Sequence, residues 1–362
     1  MIKFENVSKA YEENNVVKNL SFEIKKGELC VLIGPSGCGK STTLKMINRL
    51  VEPTEGAITI DEKDVRDFKP EILRRRIGYV IQNIGLFPHL SVKENISVVP
   101  KLLKWDKDNI DKRVFELMDL MGMQENQFLK KYPSELSGGQ AQRIGVARAL
   151  AADPDIVLMD EPFGALDPIT KSGLQNEILR LQRKVQKTIV FVTHDIDEAV
   201  KLADRIAVMN EGKLVAYDKP ESILNNKENE FIKKFVGFDR ALKKLTRLYV
   251  EDFIKPYKSV KTADLSEFAK SRTESEIFVW VLDDNGELKG WLNNDDSIDF
   301  AEDIENLVVT GIENLQISPG CSLRDALSVM MSENVVTLPV VDNKKLIGEI
   351  RLADIVGNEK NI

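Results

Sequence analysis

Gly34-Pro35-Ser36-Gly37-Cys38-Gly39-Lys40-Ser41 decides the fold. The stretch fits the pattern G-x-x-x-x-G-K-[ST], in which small residues let backbone N–H groups close around a polyphosphate. Just before it, Leu29-Cys30-Val31-Leu32-Ile33 is a continuous apolar run of strand length; behind it, Leu44, Ile47 and Val51 share one helical face. A strand, a glycine turn and a helix in that order aim the helix's positive N-terminal end at the same phosphates. Lys40 then reaches the β- and γ-phosphates and Ser41 offers its hydroxyl to Mg²⁺, while Gly34, Pro35, Ser36, Gly37, Cys38, Gly39 and Thr42 form the cradle. The predicted ligands are ATP and Mg²⁺. A plain glycine turn is the competing reading, and the flanking strand and helix argue against it.

Further along, Ile156-Val157-Leu158-Met159 is a second apolar run, ending in Asp160-Glu161. A strand of this kind carries Asp160 to its C-terminal end, where it helps hold the Mg²⁺. Glu161 is then placed to polarise an attacking water as general base. Two acids after an apolar run are common at strand ends, and the pair gains meaning only from the loop at 34–41. Residues 188–193 form a third β-rich run, and Leu174, Ile178, Leu181 and Val185 repeat at helical spacing between the two. Residues 205–209 and 213–217, joined by Asn210-Glu211-Gly212, read as a hairpin. Residues 91–150 lack strand patterns and read as a helical insert. The expected fold is therefore an α/β P-loop domain with a helical subdomain over residues 1–238, followed by a smaller α+β domain.

Leu136-Ser137-Gly138-Gly139-Gln140 makes the resemblance specific. Its Ser137 stands 23 residues before Asp160, at the start of a helical pattern through Ile144, Ala147 and Leu150. With this motif and the loop at 34–41, the chain resembles the ATPase subunits of ABC transporters. That resemblance implies that Ser137, Gly138, Gly139 and Gln140 of one subunit close over ATP held by another. Because one copy of each motif is present, it implies a homodimer or a paired ABC ATPase. It also implies adenine stacking on Tyr11, contact of Gln82 with the metal and the attacking water, contact of Asp167 across the dimer, and contact of His194 with the γ-phosphate. By the same resemblance, residues 83–90, with Leu86 and Phe87, receive an integral membrane permease, and the complex includes an extracellular substrate-binding protein or domain. A soluble ABC ATPase of translation or DNA repair is the alternative. Such proteins carry two cassettes or a long coiled-coil insert, and this sequence shows neither.

Composition agrees with a globular protein: of 362 residues, 43% are hydrophobic and 30% charged. The net charge of −7 gives no broad basic footprint for nucleic acid. Cys30, Cys38 and Cys321 are too scattered for a disulfide framework or a zinc site. The first residues lack the apolar core of a secretory leader, and no apolar run reaches 18 residues. The expected location is peripheral, on the cytoplasmic face of the membrane.

After residue 238 the pattern changes. Ala241, Leu242, Leu245, Leu248 and Tyr249 suggest a connecting helix over 239–256, ending before Pro256. Beyond it, a constant offset of 58 residues relates Asp284 to Asp342, Leu288 to Leu346, Gly290 to Gly348 and Asp296 to Asp354. Two tandem modules follow, a degenerate one over 257–312, with Trp280 and Trp291 at apolar positions, and a clearer one over 313–362. This pair resembles tandem CBS modules. Residues 77–89 are similar to the corresponding stretch of importers for quaternary-ammonium osmolytes such as glycine betaine, carnitine and choline; an amino-acid importer is the alternative. The resemblance implies a regulatory nucleotide at Asp296, Ile350, Arg351, Leu352 and Asp354, with cyclic di-AMP as the ligand class in related importers. Asn293 and Arg351 stand where such sites have threonine. Ionic-strength sensing and a purely structural dimerisation role remain the alternatives.

Overall fold

The computed structural model describes residues 1–12, 14–82, 85–164, 166–237, 239–265, 267–268, 278–293 and 308–357. They divide into two compact units, Met1–Phe238 and Asp239–Ile362.

In chain order the strands of the first unit are β1 (Ile2–Tyr11), β2 (Asn14–Ile24), β3 (Leu29–Ile33), β4 (Glu55–Ile60), β5 (Lys63–Asp64), β6 (Ile77–Val80), β7 (Ile156–Asp160), β8 (Thr188–Val192), β9 (Arg205–Asn210) and β10 (Lys213–Asp218). Its helices are α1 (Lys40–Ile47), α2 (Pro70–Arg75), α3 (Val92–Leu102), α4 (Lys107–Leu120), α5 (Glu125–Phe128), α6 (Gly138–Leu150), α7 (Pro168–Val185), α8 (Ile196–Leu202), α9 (Pro220–Asn225) and α10 (Glu230–Val236). The central sheet runs β10-β9-β3-β8-β7-β6. All its neighbours pair in parallel except β10, which returns antiparallel from β9. Every residue of β3, β7 and β8 is buried, as expected of parallel strands covered on both faces.

The pleat sends alternate side chains to two separate cores. Val31, Val157, Met159, Ile189 and Phe191 point into one, which is completed by Ile96 of α3, Val114 and Leu117 of α4, Ile144 of α6 and Leu174 of α7. Cys30, Leu32, Leu158, Val190 and Val192 point into the other, with Leu44 and Ile47 of α1 and the antiparallel sheet β2-β1-β4-β5. There Phe4 stacks on Phe22 at 4.5 Å. The expected helical insert is α3 to α6. Ser91 with Glu94 and Ser137 with Gln140 form capping boxes that start α3 and α6, and Asp106 caps α4. Because β3, β6, β7 and β8 are parallel, the segments following them emerge on one edge, where α/β sheets bind ligands.

The second unit begins differently from the expected helix over 239–256. The helix α11 (Arg240–Leu245) is short, and residues 250–253 form a 3₁₀ turn. The chain is drawn out of the helix because Leu323 N donates to Leu248 O (2.8 Å) and Val250 N to Cys321 O (2.9 Å). Val250 is then fully buried, with Leu245, Leu248, Phe253 and Ile254 around the same core as Leu338, Val340 and Ile350. The segment thus forms part of this unit's core instead of a free connector.

The rest of the unit comprises β11 (Ser259–Lys261), β12 (Phe278–Leu282), β13 (Leu288–Asn293), α12 (Leu323–Ser332), β14 (Thr337–Asp342), β15 (Lys345–Arg351) and α13 (Leu352–Val356). The strands form two sheets, β11-β12-β13 and β14-β15. An offset of 58 residues carries β12 onto 336–340 and β13 onto 346–351, so that it superposes one antiparallel pair on the other in sequence. Asp296 lies outside the described residues.

Candidate nucleotide site

At that edge of the central sheet lies a cleft of about 520 Å³, lined by Val16, Ser36, Gly37, Gly39, Lys40, Ser41, Thr42, Gln82, Glu161 and His194. The loop after β3 is packed too closely for side chains at two of its glycines. A Cβ on Gly34 would lie 2.0 Å from the Met209 carbonyl, and one on Gly39, whose φ is +99°, would lie 2.7 Å from that of Val16. Lys40 Nζ is buried and donates to the carbonyls of Gly34 (2.8 Å) and Pro35 (2.9 Å). It also stands 3.8 Å from Cys38 Sγ. Burial pushes the Cys38 thiol above its ordinary range, against the opposing pull of Lys40.

β7 delivers both acids. Asp160 Oδ1 accepts from Ser41 Oγ at 2.7 Å, joining the loop to the strand's end. Burial, reinforced by the Asp160 carboxylate, pushes the phenol of Tyr79 well above its ordinary range. At Glu161 the backbone turns sharply into the left-handed region (φ +43°) while its N–H still donates to Val192 O (3.0 Å). Gln82 Nε2 donates to Glu161 Oε2 at 3.2 Å, and His194 Nδ1 stands 3.5 Å from the same oxygen. The cleft therefore gathers the loop, Gln82, Glu161 and His194 around one open volume, with Asp160 behind it on Ser41.

Mg²⁺ fits these residues. The Ser41 hydroxyl, the Asp160 carboxylate and the Gln82 amide are oxygen donors for a hard cation. No group of three or more His, Cys, Asp or Glu that could hold a metal occurs among the described residues. Such a sparse protein contribution suits a cation that keeps its waters and takes its remaining oxygens from a phosphate.

The other sequence-selected residues lie outside the cleft's lining. Ser137 Oγ accepts from Gln140 N (3.3 Å) and Gln140 Oε1 accepts from Ser137 N (3.0 Å), so the motif is a self-capped helix start. Gly139 packs on Thr170, and a Cβ there would fall 2.2 Å from Thr170 Cγ2. Asp167 is exposed and caps α7 through Thr170 N (3.0 Å). Tyr11 is also exposed, with the Lys9 ammonium 4.8 Å from its ring centroid.

Some residues escaped the sequence reading. Val16 lines the cleft from β2. Asn95, fully buried, accepts from Phe87 N (2.8 Å) and donates to the carbonyls of Phe87, Leu90 and Ser91. Arg148 Nη1 donates to Gly85 O at 2.6 Å. Together they pin the turn that presents Phe87 to solvent, while Leu86 packs inward. An asparagine between Val92, Ile96 and Val99 on an apolar helix face was the available signal. Asn83, Ile84 and Ala165 lie outside the described residues.

In the second unit, Arg351 immediately precedes α13 without a side-chain cap bond, and Ile350 is buried in the core. Arg351 Nε donates to Glu349 Oε1 at 2.7 Å, with Nη2 2.5 Å from the same oxygen in an ion pair. Leu352 N donates to Val336 O (2.8 Å), and Asp354 Oδ1 stands 3.9 Å from Lys255 Nζ. Arg351, Leu352 and Asp354 therefore gather at one strand-to-helix corner.

The ABC transporter family model matches residues 17–164 and the CBS domain model residues 309–360. The carnitine transport ATP-binding protein OpuCA of Listeria monocytogenes serotype 1/2a (strain 10403S) is 46% identical, covering 98% of this chain and 91% of its own length. The glycine betaine/carnitine/choline transport ATP-binding protein OpuCA of Bacillus subtilis (strain 168) is 44% identical over 100% of this chain and 99% of its own. Among solved structures, the dimeric post-hydrolysis state of the ATP-binding cassette MJ0796 bound to ADP and Pi is 36% identical. It has a TM-score of 0.55 and covers 61% of this chain and 99% of its own.

Proposed function

The chain belongs to the ATP-binding subunits of ABC transporters that import osmolytes, and from that premise we propose that it drives uptake of a quaternary-ammonium solute of the glycine betaine, carnitine and choline class. ATP hydrolysis coupled to solute import is the family's activity. The cargo reading is supported by the names of relatives that align with this chain from end to end. No helix among the described residues is long and apolar enough to cross a membrane. The relatives' names as transport ATP-binding proteins support a permease partner for the solute's path, reached from the cytoplasmic face, with an extracellular substrate-binding protein delivering the cargo.

The observation that carries the hydrolytic reading is the convergence of Gln82, Glu161 and His194 on the cleft floored by Lys40 and Ser41. Backbone N–H groups of residues 36–42 and the start of α1 hold the triphosphate, and Lys40 leaves its loop carbonyls to meet it. Ser41, Gln82 and Asp160 would hold Mg²⁺, which would supply charge neutralisation on the phosphate oxygens. Glu161 accepts a proton from the attacking water, Gln82 orients that water, and His194 donates to the γ-phosphate. Ser137 to Gln140 and Asp167, absent from the chain's own cleft lining, serve the site of a second copy, and Tyr11 provides the stacking surface for adenine. Vesicles containing the chain with its permease and binding protein test the cargo. ATP-dependent accumulation of betaine, carnitine or choline is expected, and uptake of amino acids alone would contradict the proposal.

The C-terminal unit is proposed as a regulatory module that takes cyclic di-AMP at Asp296, Ile350, Arg351, Leu352 and Asp354. The exposed Arg351 guanidinium at a helix start offers a phosphate both charge and N–H donors. Equilibrium binding of labelled cyclic di-AMP to the full chain checks this. Micromolar binding abolished by Arg351→Ala is expected, and no binding at high micromolar ligand would leave a structural or ionic-strength role.

A further inference from the structure

Behind His194 lies a set of charges that the cleft does not use. Lys171, in the first turns of α7, places its ammonium 2.8 Å from Asp195 Oδ2 and 2.7 Å from Glu198 Oε1. Glu198 is buried in α8, and its second oxygen accepts from Thr193 Oγ1 at 2.5 Å. That hydroxyl accepts in turn from Asp195 N (3.0 Å), and Asp195 Oδ1 accepts from Asp197 N (2.8 Å) and Glu198 N (3.4 Å). Both chain neighbours of His194 are thereby fixed, while the His194 side chain itself is 64% exposed. On the other side, Lys171 N donates to Asp167 O (2.9 Å), one turn from the residue that caps the helix. Burial works against the Lys171 charge, yet the Asp195 and Glu198 carboxylates outweigh it and hold the ammonium above the ordinary lysine range.

We propose that Lys171 is a positioning residue for hydrolysis, tying the turn that carries His194 to the helix that starts at Asp167. The proposal rests on the reading of His194 as a γ-phosphate contact. Glu198 is buried and accepts from Thr193, so its charge requires a nearby cation, and Lys171 supplies it. The bridge therefore sets where Thr193 and Asp195 sit, and with them the reach of the imidazole between. A lysine serving only to join two helices would be equivalent to any other link between them. Lys201 Nζ, 3.5 Å from Ser172 Oγ, is such a link between α8 and α7.

The test is a double-mutant cycle on the full chain, read as kcat for ATP alongside nucleotide affinity. Lys171→Met is expected to lower kcat about tenfold or more with ATP affinity held within about twofold, since small misplacements at a reacting centre cost that much. Lys171→Arg should restore most of the rate, and Lys201→Met should leave it unchanged. In a His194→Ala background, Lys171→Met should cost less than about twofold, because the group it positions is gone. An equal loss in both backgrounds, or an equal loss from Lys201→Met, would overturn the proposal. Should Lys171→Met fail to fold, Thr193→Val enters the same cycle with the same expectations. Full turnover by His194→Ala alone would sink the reading of the site, whereas a large His194→Ala loss with additive Lys171→Met would sink only this inference.

Discussion

Glu161 in the first unit and Glu349 in the second both stand at or near the end of a strand, yet their surroundings differ in kind. Glu349 is closed off: its Oε2 accepts from Trp280 Nε1 at 2.8 Å, and its Oε1 accepts from Arg351 Nε at 2.7 Å, with Nη2 paired at 2.5 Å. Each oxygen has its partner, and the residue is buried. Glu161 has one donor, Gln82, with His194 beside it, and it borders an open cleft from a left-handed backbone position. A buried charge whose bonds are all made within the fold serves architecture. A carboxylate held on one side and left open on the other is arranged for something that arrives. The contrast separates a polar group that stabilises from one proposed to react.

The largest effect is expected of Glu161→Gln. It should lower ATP turnover by about 10²- to 10⁴-fold while nucleotide binding persists, the range for a lost general base. Phosphate release measured at saturating Mg-ATP checks it, and undiminished release would remove Glu161 from its role. Next in size is Lys40→Ala. It should weaken ATP binding about tenfold or more, as for loss of a charge-assisted contact to phosphate, with fluorescent-nucleotide titration as the readout. In the second unit, Trp280→Phe leaves one oxygen of the buried Glu349 without its donor. That should destabilise the unit by about 1.5–3 kcal/mol in chemical denaturation and leave ATP turnover unaltered. The smallest effect concerns Cys38. Because burial holds its thiol above the ordinary range, its alkylation at pH 7 should be slow and still accelerate as pH rises past the usual thiol range. A rate that levels off below pH 8 would contradict that assignment.

Much of the first unit was legible in the sequence because its signals are local. Leu29–Ile33 and residues 156–159 are continuous apolar runs, the appearance expected of strands buried on both faces. The loop at 34–41 also reads from composition, because backbone crowding at Gly34 and Gly39 admits only glycine. Lys171, Glu198 and Thr193 were not legible as a set. They are brought together by the packing of α7 on α8, and each in isolation is an ordinary helix or strand-end residue. The stretch 239–256 misled for a related reason. Its apolar spacing suits a helix, but pairing of Leu248 and Val250 with residues around 321–323 claims the backbone after Leu245. Trp280 looked out of place at an apolar position until Glu349, 69 residues away, supplied a partner for its indole N–H.

Ser137 of one copy is proposed to complete the cleft of another, and co-purified mixed dimers decide it. Lys40→Ala chains keep a sound Ser137 motif and Ser137→Arg chains keep a sound phosphate loop, so either alone should be inactive. Mixed in one assembly, they should regain ATP hydrolysis through the single composite site that carries both intact halves. A mixture no more active than its separate components would contradict the account.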